Sequence, residues 1–157
     1  MQSLLQLLAE PGQPSRIYAA LDMVLGEEIG HKLLTLLCVD GTDMARVYST
    51  QPIAYPVHGR KRMGPTPWGE KVLKNREPFL GTSRDAIVWA FFDHELIASL
   101  GLGSVITVPV VYDGTALGSI NLLHEEHFYK AEHVECALAY APLLIPAFME
   151  ASSRTGI

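Results

Sequence analysis

Residues 103–124 read GSVITVPVVYDGTALGSINLLH. Aliphatic and β-branched residues run from Ser104 to Val111, Asp113 and Gly114 follow, and a second such run leads from Ala116 to Leu123. Asp-Gly accepts the positive φ angles of a tight hairpin turn, so two antiparallel strands are predicted here. Side chains alternate faces along a strand. One parity carries Ile106, Val108, Val110, Ile120 and Leu122; the other carries Val105, Thr107, Pro109, Ser119, Asn121 and Leu123. The sheet is therefore expected to have one oily face, suited to packing under helices, and one face where Thr107, Ser119 and Asn121 gather.

Downstream, Ala131 to Met149 is predicted as a long helix with Val134, Leu138, Ala141 and Ile145 on one side, kinked where Pro142 and Pro146 remove backbone donors. Its apolar core, Ala137 to Met149, is 13 residues long, against about 20 for a bilayer crossing, and is expected to be buried in protein. Upstream, Ser15 is placed as the N-cap of a helix reaching about Gly30, with Ile17, Leu21, Val24 and Leu25 on its apolar stripe. Strands are predicted over Lys32–Val39, Ala45–Thr50 and Ile53–Val57. Parity in the second of these sets Arg46 and Tyr48 on the side of Asn121. Gly59 to Gly64 is expected to be basic and irregular, followed by a short helix from Trp68 to about Lys74 behind Thr66 and Pro67. Phe79 to Thr82 is extended, and Asp85 to Leu100 is helical, broken near Asp93 and stopped by Gly101. Residues 1–14 are expected as an extension, 15–150 as one domain and 151–157 as a tail.

The 157 residues, 48% hydrophobic and 18% charged, suffice for one packed domain. A net charge of −5 without a run of lysines and arginines argues against nucleic-acid binding. No basic region precedes the N-terminal leucines and no cleavage site follows, so neither export nor a membrane is expected. Cys38 and Cys136 are the only cysteines and lack close spacing; they suit a reducing, cytoplasmic setting.

The order helix, strands, two inserted helices, hairpin, long helix resembles the GAF domain, carried by residues 103–124 and by WGEKVLKNREPFLGTS at 68–83. The resemblance spans about Ser15 to Phe148, and the match is to a small stand-alone bacterial-type member. It implies an α/β (α+β), profilin-like architecture: a central antiparallel sheet, terminal helices on one face, and short helices and loops covering a pocket on the other. It also implies a cytoplasmic sensory module that binds a small molecule and pairs as a homodimer through its terminal helices. No cysteine stands where a bilin is attached, and the NKFDE-type pattern of cyclic-nucleotide binders is absent, which counts against both ligands. No output domain follows, so output is expected through a separate effector protein.

The candidate ligand-binding residues are Arg46, Tyr48, Trp68, Phe79, Trp89, Phe92, Asp93, His94, Thr107, Ser119 and Asn121. Buried hydroxyls and amides need partners, and the inserted helices would cover them with aromatic rings. Against this stand blander readings: aromatic residues in the core, Asn121 bonded only to Thr107, Arg46 on the surface, Asp93 as a plain N-cap. His124, His127 and His133 invite a metal site, but a solvated loop explains their spacing better. No catalytic residues are expected. The family's enzymatic variant, free methionine sulfoxide reductase, needs reactive thiols near the pocket, whereas Cys38 and Cys136 fall mid-strand and mid-helix. Two functions of different kinds remain: a ligand-binding sensor, which a cavity of several hundred Å3 beside Thr107 and Asn121 would support and a sealed core there would defeat, and a dimerisation or protein-interaction module with that space filled by side chains.

Overall fold

The computed structural model describes residues 2–62, 64 and 66–155, with the side chains of 153–155 left aside. Six strands form one antiparallel sheet in the order β3-β2-β1-β6-β5-β4: β1 (Leu33–Asp40), β2 (Asp43–Ser49), β3 (Arg60–Arg62), β4 (Phe79–Gly81), β5 (Ser104–Tyr112) and β6 (Thr115–His124). The β5–β6 hairpin turns through Asp113 at φ 52° and Gly114 at φ 73°, the positive angles that a two-residue turn of this kind requires.

One face of the sheet carries the main core. Leu34, Leu36, Ile106, Val108, Val110, Ile120 and Leu122 pack there against Ile17, Leu21 and Leu25 of α2 (Ser15–Glu28), and against the C-terminal helices. Those are α6 (Ala131–Tyr140), a tighter turn over Ala141–Leu144, and α7 (Ile145–Thr155). The change of helix type falls at the prolines. By length and composition the stretch Ala131–Ser152 could cross a membrane, a longer run than the sequence suggested. Here Val134, Ala137, Tyr140, Leu144 and Phe148 are buried on the sheet. A short helix, α1 (Gln2–Leu7), joins this core through Leu4, while the end of the expected tail, residues 156 and 157, lies outside the described residues.

The opposite face is covered by the inserted elements: α3 (Pro67–Gly69) widening into a π turn over Glu70–Lys74, then α4 (Arg84–Ala90) and α5 (His94–Ser99). A second cluster including Leu33, Leu37, Met44, Trp68, Val72, Phe79, Phe91, Ile97, Val105 and Leu123 fills the layer between.

Three local expectations need correction. Ser15 does not cap α2; the Gln13 side chain accepts from the Ile17 N–H at 3.1 Å instead, since its longer reach suits a chain entering from Pro14. Ile53–Val57 is a turn, not a strand, as Pro52 precedes it, Pro56 falls within it and Tyr55 N–H closes back on Gln51 at 2.8 Å. The strand that pairs with β2 lies later, at Arg60–Arg62, within the segment expected to be irregular.

Candidate functional site

The mixed face of the hairpin is a hydrogen-bonded polar cluster. Thr107 Oγ1 donates to Asn121 Oδ1 at 2.9 Å and receives Trp68 Nε1–H at 3.3 Å. Asn121 Nδ2 reaches Ser119 Oγ at 3.2 Å and Thr35 Oγ1 at 3.4 Å. All four polar partners on the sheet are buried. The cluster points away from α2, α6 and α7, and much of its hydrogen-bonding capacity is met internally.

Beside Asn121 a cavity of about 90 Å3 opens, bordered by Leu33, Thr35, Leu37 and Leu123 from the sheet, Arg46 and Lys61 from the edge, and Tyr55, Phe91 and Asp93 from the covering segments. This is well below the several hundred Å3 expected for sensing, and it is not a sealed core. The chain's own residues take up the space: Lys61 Nζ lies 4.1 Å from the Trp68 ring centre and 5.2 Å from that of Phe91.

Each charged group has a local cause. A β-bulge between Leu36 and Leu37 pairs Leu36 with Tyr48 but Leu37 with Arg46, so Val47 is the extra residue and the parity of β2 breaks between 46 and 48. Arg46 thereby faces the cavity. Its guanidinium lies 4.9 Å from the Tyr55 ring centre, Nη1 donates to the Pro56 carbonyl at 3.0 Å, and Nε is buried with no hydrogen-bond partner. Met44, on the same face, pairs with Lys61 of β3, which sets the lysine inward. Arg60 is held on Asp40 and Asp43. Among the described residues Lys61 forms no ion pair, and burial pushes its ammonium down to about 8, against the smaller opposing pull of Asp93. Burial also lowers Arg46.

Asp93 sits at the N-cap position of α5 without capping it. Its Oδ2 instead accepts from the Tyr55 hydroxyl at 2.8 Å, and that phenol is raised by burial first and then by Asp93. The break between α4 and α5 puts Phe91 in extended backbone and turns it inward, leaving Phe92 at the rim, 84% exposed.

Arg46, Phe92, Asp93 and Asn121 of the sequence-derived set thus border the cavity, with Trp68, Thr107 and Ser119 directly behind it. Tyr48 does not share their side, because the bulge turns it to the helical face, where its hydroxyl donates to Asp22 Oδ2 at 2.6 Å. Phe79 and Trp89 meet in a tilted pair with ring centres 5.2 Å apart and border a separate shallow opening. His94, at the start of α5, lies outside the cavity lining. Thr35, Tyr55, Lys61 and Phe91 were missed. Only a strand reading of RKR could have located Lys61.

Other chemistry is placed elsewhere. Cys38 is buried on the helical face, its thiol donating to the Phe148 carbonyl at 3.6 Å and raised to about 11 by burial. Cys136 lies on α6 beside Glu28, at 3.6 Å, and burial again raises it. Neither borders the cavity. His124 and His133 stack on either side of Phe128, at 3.5 and 5.9 Å. Among the described residues no group of three metal-binding side chains occurs.

No family model matches the sequence, and no curated protein sequence does. Solved structures do. The GAF domain of a phosphoenolpyruvate-protein phosphotransferase from Coxiella burnetii superposes with a TM-score of 0.76 at 16% identity, covering 99% of this chain and 94% of that one. The fold is that of a GAF domain. The GAF domain of a two-component sensor histidine kinase from Bacillus halodurans gives 0.69 at 12% identity, over 92% of this chain and 99% of that one. A type II free methionine-R-sulfoxide reductase from Thermoplasma acidophilum gives 0.66 at 14% identity, over 87% and 92%. The GAF fold thus carries both signalling domains and an enzyme, and the side chains must separate them.

Proposed function

We propose that this GAF domain is a small-molecule-binding sensory or regulatory module without catalytic machinery of its own, passing its signal to a separate effector protein in the cytoplasm. The observation that carries the reading is the pair of cationic side chains at the cavity: a buried Arg46 Nε without an acceptor and, among the described residues, a Lys61 ammonium without an ion pair, with only the longer-range pull of Asp93 against its burial. Buried donors left unpaired are costly, and a bound acceptor would relieve both. Sensor histidine kinase relatives by fold support the regulatory role. A reductase role like that of the Thermoplasma acidophilum protein is disfavoured, because both thiols lie away from the cavity and are raised rather than activated. Native mass spectrometry of the purified chain should reveal a small molecule bound at one per protomer. Asn121→Leu should lose the stabilisation that molecule gives in a thermal melt. No bound molecule, together with equal responses of both proteins to candidate ligands, would end the proposal.

A second reading, pairing or protein interaction, draws on a different feature. Leu5 and Leu8 line an apolar groove of about 370 Å3 with Tyr112, Pro142, Ile145 and Pro146. A second copy of the chain is the proposed cover, giving a homodimer. Light scattering with size-exclusion chromatography would test it, a monomer at all concentrations being the adverse result.

A further inference from the structure

We infer that the cavity accepts a small monoanionic carboxylate, of the size of acetate, pyruvate or lactate, whose charge is balanced by Lys61 and Arg46. This rests on the reading of the cavity as a ligand site. Charge sets the sign and number: Lys61 and Arg46 border the space, Asp93 opposes one of them, and Arg60 is already held by Asp40 and Asp43. Lys61 and Arg46 thus face the space opposite the single bordering carboxylate of Asp93, with Arg60 turned to Asp40 and Asp43, and a monoanion finds cationic partners there without exceeding their charge. Size sets the upper limit, since about 90 Å3 is the room of about three waters. The donor set distinguishes a carboxylate from a phosphate or sulfate. The cavity offers the Lys61 ammonium and Arg46 Nε, the Asn121 amide hydrogens being already given to Ser119 and Thr35, too few donors to desolvate a tetrahedral oxyanion. The remaining wall is Leu33, Leu37, Leu123 and Phe91, which suits a short carbon tail. A cationic ligand would have to displace Lys61 from the faces of Trp68 and Phe91 and then meet Arg46.

Isothermal titration of the full chain at pH 7.0 with sodium acetate, pyruvate and L-lactate tests this, with phosphate and choline chloride as separate arms and sodium chloride as the blank. At least one carboxylate should bind saturably at one site per chain. Lys61→Met should weaken it tenfold or more, while Lys61→Arg, which keeps the charge, should stay within tenfold of the wild type. Circular dichroism confirms that each variant is folded. Binding of phosphate or choline in preference to all three carboxylates, or carboxylate binding indifferent to Lys61→Met, overturns the inference. A co-purifying neutral molecule that depends on Asn121 but survives Lys61→Met would overturn the carboxylate and leave the cavity reading intact. No response in any arm and no co-purifying molecule would remove both.

Discussion

Replacing Lys61 with methionine should make the ligand-free protein more stable. Methionine keeps the length and apolar stem of lysine and removes only the ammonium, which sits between Trp68 and Phe91 with no ion pair among the described residues. A lysine brought from 10.5 to about 8 carries a cost of about 3 kcal/mol in its protonated form. Attraction to the two rings returns about 1–2 kcal/mol of that, and the partial exposure of the side chain reduces the cost further. The net gain on substitution is then about 1–2 kcal/mol, or about 3–6 °C in melting temperature for a domain of this size. The sign has a pH signature. The unfolded chain holds this proton up to about pH 10.5, whereas the folded protein sheds it near 8, so wild-type stability from this group rises between those values and its full penalty applies below pH 8. The advantage of Lys61→Met should therefore be largest at pH 6–7 and shrink towards pH 10. Thermal melts of both proteins across that range are the assay. A variant less stable than wild type at pH 7, or an advantage that does not change with pH, would show that the ammonium is not the strained group.

Three further outcomes follow from the packing. Gly59→Ala adds a Cβ that collides with Arg46 Nη1 and stands 3.0 Å from the Pro56 carbonyl oxygen, so the guanidinium should be pushed off its carbonyl and carboxylate affinity should fall by about tenfold by calorimetry. Gly118→Ala meets the Leu37 carbonyl oxygen and the Phe148 ring at 2.7 Å, neither free to move, and should destabilise by about 3 kcal/mol in urea unfolding with the cavity untouched. Cys38, buried and raised to about 11, should resist a disulfide-exchange reagent at pH 8 until the protein unfolds; rapid labelling in the native state would contradict its placement.

The sheet and its two faces were legible because β5 alternates over Ser104–Val110 and β6 over Gly118–His124, each run unbroken in itself, while the bulge that leaves Leu117 unmatched falls nearer the turn. Asn121 and its neighbours followed from parity alone. Parity failed one strand away, where a single extra residue at Val47 sends Arg46 and Tyr48 to opposite faces; a bulge leaves no compositional trace when the residues around it are all strand formers. Lys61 was hidden for a different reason. Three basic residues on an edge strand pair through only three positions, and such a run has the composition of a solvated loop. Phe91 and Phe92 exchanged roles because the helix break falls just before them, turning the first inward.

These failures share a physical origin that bears on function. Residues legible from patterning are those whose burial is favourable in itself, and they make up both cores. Arg46 and Lys61 are half-buried against their own solvation preference, on a bulged strand and a three-residue edge, where local propensity offers no reward. A site that departs from local preference with only partial compensation is where stability has been given up for another end. If a small anion supplies the missing contact, the penalty carried by Lys61 in the free protein becomes part of the affinity for that anion, since the ammonium regains a counter-charge on binding. Lys61→Met would then raise the melting temperature of the free protein and remove the further rise that a carboxylate brings. A purely structural lysine would show only the first effect or neither.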